Sequence, residues 1–277
     1  MSIILPPVVE LLEIGDHANP DAKCFHVRVK VGEADELARR LALHIAFELM
    51  APSDAAFESW NCRFEGGPEH DAATKAEIEA YVMADFEPAE KDKAQTRLLG
   101  AIVEHLWTAL ASSLDGFWGR PFHVEHDHFS VIDHGPDGLS LYDSDTPDLR
   151  FRLWESKRHT GKGSVTTVMT GAAEQMKGGA AQYLARISKP LQSHDDARVQ
   201  QLSGEIVRLW TIRNDRAAVG VSVGRSTNDH VPARPLQGLV KTFEFAGNGR
   251  CEGVIIEISD LVKFSEGVRT HILKGIE

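Results

Sequence analysis

The sequence predicts an α/β fold, because segments with strand patterns and segments with helix patterns alternate along the chain. Residues 219–223 and 253–258 are apolar runs bounded by turn residues, which is typical of buried strands. Residues 96–114 carry Leu, Ile and Val at the spacing of an amphipathic helix. Residues 139–157 have the pattern of a β-hairpin. Together these segments predict a sheet packed against helices.

The N-terminal part is predicted to contain one strand followed by two helices. Residues 24–31 alternate between apolar and polar side chains, which indicates a half-buried strand. A helix is expected over residues 33–50, because Leu or Ile recurs at every fourth position from Leu37 to Leu49. A second helix is expected over residues 72–86.

A soft domain boundary is predicted between the second helix and the rest of the chain. Residues 55–70, which end in Gly-Gly-Pro-Glu-His, are expected to be irregular, and residues 87–93 are expected to form a charged linker. The boundary divides an N-terminal α/β extension, residues 1–88, from a main domain, residues 89–277.

The main domain is predicted to begin with the helix over residues 96–114 and to contain three more helices. Glu104 lies roughly opposite the apolar stripe of the first one, so it is either exposed on a solvated face or borders a cleft. The other helices are expected over residues 171–187, 199–212 and 260–274, the last capped by Ser259.

The hairpin carries the candidate functional residues. A short strand over residues 139–142 and a longer strand over residues 149–157 flank the turn at residues 143–147. Side chains alternate along a strand, so Glu155 and Lys157 share a face with the apolar residues that precede them. Since a core strand does not normally end in a carboxylate and an ammonium on its apolar face, this pattern indicates a site.

Asp137, at the start of the shorter strand, can supply a second carboxylate to this site. Two converging carboxylates can hold Mg²⁺, which prefers oxygen ligands and keeps several waters, and Mn²⁺ is an alternative ion. Lys157 would then orient or help deprotonate a water, or stabilise charge on a phosphate. The alternatives are that Glu155 and Lys157 form a simple ion pair and that Asp137 only begins a strand.

Composition limits the class of protein. The net charge of −11 argues against a chain that grips nucleic acid unaided, because nonspecific binding depends on Lys and Arg. The three cysteines are scattered and suggest neither a disulfide framework nor a Cys-x-x-Cys zinc site. No apolar run reaches the roughly 20 residues of a membrane span, and the N-terminus lacks the features of a signal peptide. A cytoplasmic protein without membrane contact is therefore expected.

Basic residues cluster locally despite the acidic total. Arg158, His159 and Lys162 follow the hairpin and are candidates for contacts with nucleic acid. Arg150 and Arg152 are predicted on the opposite face of the longer strand, either as a solvated outer surface or as further contacts.

A histidine-rich segment offers a competing interpretation as a zinc site. His123, His126 and His128 are good zinc ligands, with Glu125 between them. On a strand, however, His123 would point with Glu125, while His126 would point with His128. That spacing does not favour one converging tetrahedral site.

Three segments in this order resemble the successive motifs of the PD-(D/E)xK nuclease superfamily. They are the helix with Glu104, the Asp137-Gly-Leu step, and Leu-Trp-Glu155-Ser-Lys157. Behind a long N-terminal region, this combination resembles the HamA family, the nuclease subunits of Hachiman anti-phage defence systems. The resemblance covers roughly residues 96–187.

The resemblance implies a restriction-endonuclease-like fold, a mixed central sheet flanked by helices. It implies that Asp137 and Glu155 bind the metal, that Lys157 is the catalytic lysine, and that Glu104 completes the site. It also implies metal-dependent cleavage of DNA under the control of a HamB-like helicase, for which residues 1–88 are the candidate contact surface. The acidic net charge is consistent with a nuclease that receives its substrate from a partner. The alternatives are a catalytically silent interaction subunit of the same fold and the zinc site described above.

Overall fold

The chain forms a mixed α/β fold in which one seven-stranded sheet lies between two groups of helices, as predicted. In this computed structural model the described residues are 5–18, 22–51, 53–86, 91–126, 136–161, 163–227, 233–244 and 249–277. Among them, no helix combines the length and the apolar character that a membrane span requires.

The sheet has a parallel centre and antiparallel margins. Its order is β1-β2-β7-β6-β5-β4-β3, with β2, β7, β6 and β5 parallel. The outer strands β1, β4 and β3 each run antiparallel to their inner neighbour. The strands are β1 Leu12–Ala18, β2 Ala22–Val29, β3 His123–His126, β4 Gly138–Tyr142, β5 Arg150–His159, β6 Ala217–Ser226 and β7 Cys251–Ile258.

Helices cover both faces of the sheet and enclose two hydrophobic cores. A short 3₁₀ helix, Val8–Leu11, precedes β1 on the first face. The first face is covered by α1 Ala34–Leu49, α2 Asp54–Phe64, α3 Ala72–Phe86, α4 Lys91–Ala111 and α8 Leu261–Lys274. The second face is covered by α5 Val165–Leu191, α6 Ala197–Thr211 and α7 Gln237–Phe243.

The prediction that residues 55–70 are irregular is wrong for their first part, which forms α2. Ser53 caps this helix by accepting a hydrogen bond from the N–H of Ala56 at 3.3 Å. Trp60 and Phe64 lie one turn apart and are buried with stacked rings. The spacing of these two aromatic residues is therefore that of a helix with one buried face. The glycines and proline that suggested an irregular segment lie beyond the end of this helix.

Three helix starts also differ from the prediction. The fourth helix begins at Lys91 rather than at residue 96, so residues 91–93 of the predicted charged linker are helical. The fifth helix begins earlier than residue 171, at Val165, because Ser164 accepts a hydrogen bond from the N–H of Thr166 at 3.2 Å. The cap of α8 is Asp260 rather than Ser259, since its carboxylate accepts from the N–H of Lys263 at 3.0 Å.

The predicted N-terminal extension, residues 1–88, is built into the same layers as the rest of the chain. Its strands β1 and β2 continue the sheet through pairing with β7. Its helices α1, α2 and α3 share one hydrophobic core with α4 and α8. The boundary near residue 88 therefore does not separate two independent cores.

Candidate active site at the central hairpin

The central hairpin forms as the sequence predicts. β4 and β5 pair antiparallel, with Gly138 opposite Trp154 and Tyr142 opposite Arg150. Phe151 and Leu153 point into the second core, under α5–α7. Strand alternation places Glu155 and Lys157 on this same face, beyond the apolar residues.

Asp137 lies at the point where β4 begins and holds its position by two hydrogen bonds to β5. Its backbone N–H donates to the carbonyl of Trp154 at 2.8 Å. Its Oδ2 accepts from the backbone N–H of Ser156 at 2.6 Å. Because it bonds to the residue on each side of Glu155, Asp137 keeps its carboxylate beside that of Glu155.

Glu155 is fully buried, with 0% of its surface exposed. The ammonium group of Lys157 contacts its Oε1 as an ion pair. Within the described parts of the chain, Oε2 has no hydrogen-bond partner. Lys157 is about a third exposed, so it links the buried carboxylates to solvent.

Glu104 lies near these carboxylates, on α4, which packs on the hairpin from the first face of the sheet. Trp107, one turn further along α4, packs so closely on Gly138 that a Cβ there would lie 2.4 Å from its ring. Its ring centroid is also 5.4 Å from that of Trp154. This packing fixes α4 against the start of β4, and the nearby charge of Glu104 raises the pKa of both Asp137 and Glu155.

The carboxyl groups hold their protons more tightly than in water. Burial is the largest cause and raises the pKa of Glu155 to about 7, with a further increase from Glu104, against the lowering effect of Lys157. Although Asp137 is partly exposed as a residue, its carboxyl group lies among protein atoms. That desolvation, followed by the charges of Glu155 and Glu104, raises its pKa well above the ordinary value. The pKa of Lys157 is also raised, since these carboxylates outweigh the opposing effect of its burial.

The donor set fits a hard divalent cation. The charges of three carboxyl groups act on one ammonium, so the ionised site carries an excess of negative charge. Asp137 and Glu155 each present an oxygen that accepts no hydrogen bond from the described residues. No three His, Cys, Asp or Glu side chains in those residues form a complete metal site. Mg²⁺ does not require three protein ligands, because it is commonly bound through one or two carboxylates and several waters.

The predicted contacts with nucleic acid are only partly described. Arg158 is half-buried and donates to Oγ1 of Thr160 at 3.3 Å. The Nε2–H of His159 donates to the carbonyl of Gly163 at 2.8 Å, which holds the loop after β5. Lys162 lies outside the described residues. The role of these three residues in binding stays a prediction.

The prediction of a solvated surface at Arg152 is wrong. Arg152 is fully buried and donates from Nη1 to Oε2 of Glu252 at 2.6 Å and to the hydroxyl of Tyr142 at 2.9 Å. The intervening strand β6 carries small residues opposite the pair, Ala218 and Gly220, so the side chains can meet across it. Glu252 is 100 residues away in sequence, and no local pattern marked it as the partner.

The histidine segment is described in part. Nε2 of His123 lies 2.9 Å from Oε2 of Glu125, which confirms that the two residues share a strand face. The side chain of His126 and the whole of His128 lie outside the described residues. The zinc hypothesis therefore stays a prediction.

In comparisons with known proteins, no family model and no curated protein matches this chain. The similarity to PD-(D/E)xK nucleases consequently remains a prediction from the sequence motifs. Function is inferred from the geometry of the site.

Burial of Glu155 predicts a pH-dependent loss of stability. The folded protein keeps this proton up to about pH 7, whereas the unfolded chain releases it near 4.5, so stability falls as the pH rises between these values. A shift of this size corresponds to roughly 3 kcal/mol. The change Glu155→Gln removes the titration. In urea unfolding with EDTA at about pH 5 and about pH 8, the variant should lose less stability than the unaltered protein. Equal losses in the two proteins would contradict the burial of an ionisable Glu155.

Proposed function

We propose that the chain is a metal-dependent nuclease that hydrolyses phosphodiester bonds in DNA, with Mg²⁺ as the ion. One observation carries this proposal: Asp137 is tied by hydrogen bonds to both neighbours of Glu155, and Lys157 contacts Glu155 from the same strand face. Two carboxylates and one lysine in this arrangement suit phosphoryl chemistry.

Each residue has a distinct part in this proposal. Asp137 and Glu155 would hold Mg²⁺ or Mn²⁺ through carboxylate oxygens. A bound ion would polarise a phosphoryl oxygen and lower the pKa of a coordinated water. Lys157, partly exposed beside them, orients the attacking water and neutralises negative charge that develops on the phosphate. The charge of Glu104 strengthens the attraction of the site for a cation.

We further propose that this nuclease acts in anti-phage defence under the control of a partner helicase. The defence role follows from the resemblance of the motifs. The net charge of −11 supports control by a partner, because an acidic protein binds DNA weakly unless its substrate is presented to it. A nuclease that binds weakly alone does little damage to the DNA of its own cell.

Replacement of Glu104 is expected to change DNA cleavage less than replacement of the hairpin residues does, but by a measurable amount. In Glu104→Gln, the Mg²⁺ concentration for half-maximal cleavage should rise roughly tenfold, which is about 1.4 kcal/mol of lost attraction. The acid limb of the pH–rate profile should move to lower pH, since Glu104 raises the pKa of Glu155. Glu205→Gln, which removes a carboxylate paired with Arg216, is the matched control. Identical Mg²⁺ dependence in both variants would exclude Glu104 from the site.

The nuclease proposal is tested with supercoiled, nicked and linear DNA in Mg²⁺ or in EDTA. The partner helicase is added to half of the reactions. We expect cleavage in Mg²⁺, none in EDTA, and a large increase when the helicase is present. Rapid degradation by the isolated protein at physiological salt would refute the control by a partner. Failure to cleave under every condition would refute the nuclease.

A further inference from the structure

A row of charged residues crosses the carboxyl edge of the sheet. β5, β6, β7 and β2 are parallel, so their last residues meet at one edge. The paired positions there are His159 with Arg225, Arg225 with Glu257, and Glu257 with Arg28. The row is therefore a line of side chains on neighbouring strands, in which Arg225 and Glu257 are buried.

This row lies on the same face as the candidate active site. Val223 and Ile255, two residues before Arg225 and Glu257, point into the second core under α5–α7. Alternation therefore turns Arg225 and Glu257 to that face, which is also the face of Lys157. The row begins at β5, where His159 stands two residues after Lys157.

Glu257 is the buried centre of the row. It is 1% exposed, and its Oε2 accepts from Nε of Arg28 at 2.8 Å. Nε2 of His26 lies 2.8 Å from the same oxygen, and Arg225 contacts Oε1. Burial alone would raise the pKa of Glu257, but the hydrogen bonds from Arg28 and Arg225 lower it, so the carboxylate stays ionised.

Arg28 is the exposed member of the row. Its side chain is 47% exposed, whereas that of Arg225 is 5% exposed. Arg28 uses Nε for Glu257, and its two Nη groups donate to none of the described residues. The guanidinium groups of Arg28 and Arg225 both contact the carboxylate of Glu257, and Glu13 of β1 stands opposite Arg28 in the sheet. The two Nη groups of a guanidinium have the geometry that binds phosphate oxygens.

The spacing fits one extended substrate. Arg28 stands three strands from β5, which is about 14 Å at the usual strand separation. That is about four base pairs of duplex DNA. We propose that Arg28, held in place by Glu257, binds a backbone phosphate of the DNA that Asp137, Glu155 and Lys157 cleave. This inference rests on the proposed function and specifies how its substrate crosses the sheet edge.

The test measures DNA binding without cleavage. The full chain is titrated into fluorescently labelled duplex DNA in EDTA, and anisotropy is followed from about 50 to about 200 mM salt. Arg28→Gln should bind about tenfold more weakly, as expected for a lost charge-assisted hydrogen bond. Its salt slope should fall by about 0.9, as expected for one phosphate contact. Arg28→Lys keeps the charge but loses the paired Nη donors of the guanidinium group, so this variant should bind DNA with intermediate affinity.

The matched control is Arg198→Gln. Arg198 is 45% exposed and also pairs with carboxylates, but it lies beside Asp143, at the opposite edge of the sheet. Its replacement should change neither the affinity nor the salt slope. Equal effects of the two glutamine variants, or no binding by the unaltered protein at about 50 mM salt, would overturn the inference.

Measurements of DNA binding and of DNA cleavage distinguish a failure of this inference from a failure of the proposed function. If Arg28→Gln binds as the unaltered protein does while Mg²⁺-dependent cleavage is observed, only the role of Arg28 fails. If Arg28→Gln loses affinity but no condition yields cleavage, the phosphate contact stands and the nuclease proposal fails.

Discussion

Replacement of Lys157 by Met is expected to lower the rate of DNA cleavage by about 10²–10⁴-fold. The ammonium group of Lys157 contacts the buried carboxylate of Glu155, and its partly exposed position gives it access to substrate. Methionine has a similar length but neither charge nor hydrogen-bond donors. The variant should therefore fold and still present the carboxylates. Single-turnover cleavage of linear DNA in Mg²⁺ measures the loss.

Lys23→Met is the matched control for this change. Lys23 also lies on a strand and pairs with an aspartate, Asp16, at 3.2 Å, but it stands at the start of β2, at the end of the strand far from Arg28. Its replacement should leave the rate of cleavage unchanged. If Lys157→Met cleaves DNA as fast as Lys23→Met, the assignment of Lys157 as the catalytic lysine is wrong.

Replacement of Arg152 by Met is expected to reduce the free energy of unfolding by about 3–5 kcal/mol. The change leaves Glu252 buried and charged without its guanidinium partner. It also removes the donors to Tyr142 and to the carbonyl of Gly249. Urea unfolding at neutral pH measures the effect.

The neighbouring residue Arg150 provides the control for this loss of stability. Arg150 is only partly buried, and its guanidinium lies 5.5 Å from the ring centroid of Trp118. Arg150→Met should therefore cost about 1 kcal/mol or less. The double change Arg152→Met with Glu252→Leu should recover much of the loss, because no buried charge remains unpaired. Equal stabilities of the two single variants would contradict a buried ion pair at Arg152.

The hairpin and its polar face could be predicted because their signals are local. The turn residues separate two strands of matching pattern, and alternation alone places Glu155 beside Lys157. That Glu104 lies near the carboxylates of the hairpin could not be predicted with the same precision. It depends on the contact of Trp107 with Gly138, which joins segments separated in sequence and only forms in the folded chain.

Cross-strand pairs were missed for a related reason. Arg152 meets Glu252 across β6, and Arg28 meets Glu257 on β7, so each pairing depends on strand order and register. The sequence did contain one signal. Glu257 interrupts an apolar strand, as Glu155 does, and a carboxylate at such a position requires a partner when it is buried.

The central claim is that Asp137, Glu155 and Lys157 form a magnesium-dependent nuclease centre. The most direct test compares DNA cleavage by the unaltered protein with that by the double variant Glu155→Ala and Lys157→Ala. Both proteins are assayed in Mg²⁺ and in EDTA, with the partner helicase present. We predict Mg²⁺-dependent cleavage by the unaltered protein and none by the folded double variant. Undiminished cleavage by the double variant, or cleavage that persists in EDTA, would contradict the claim.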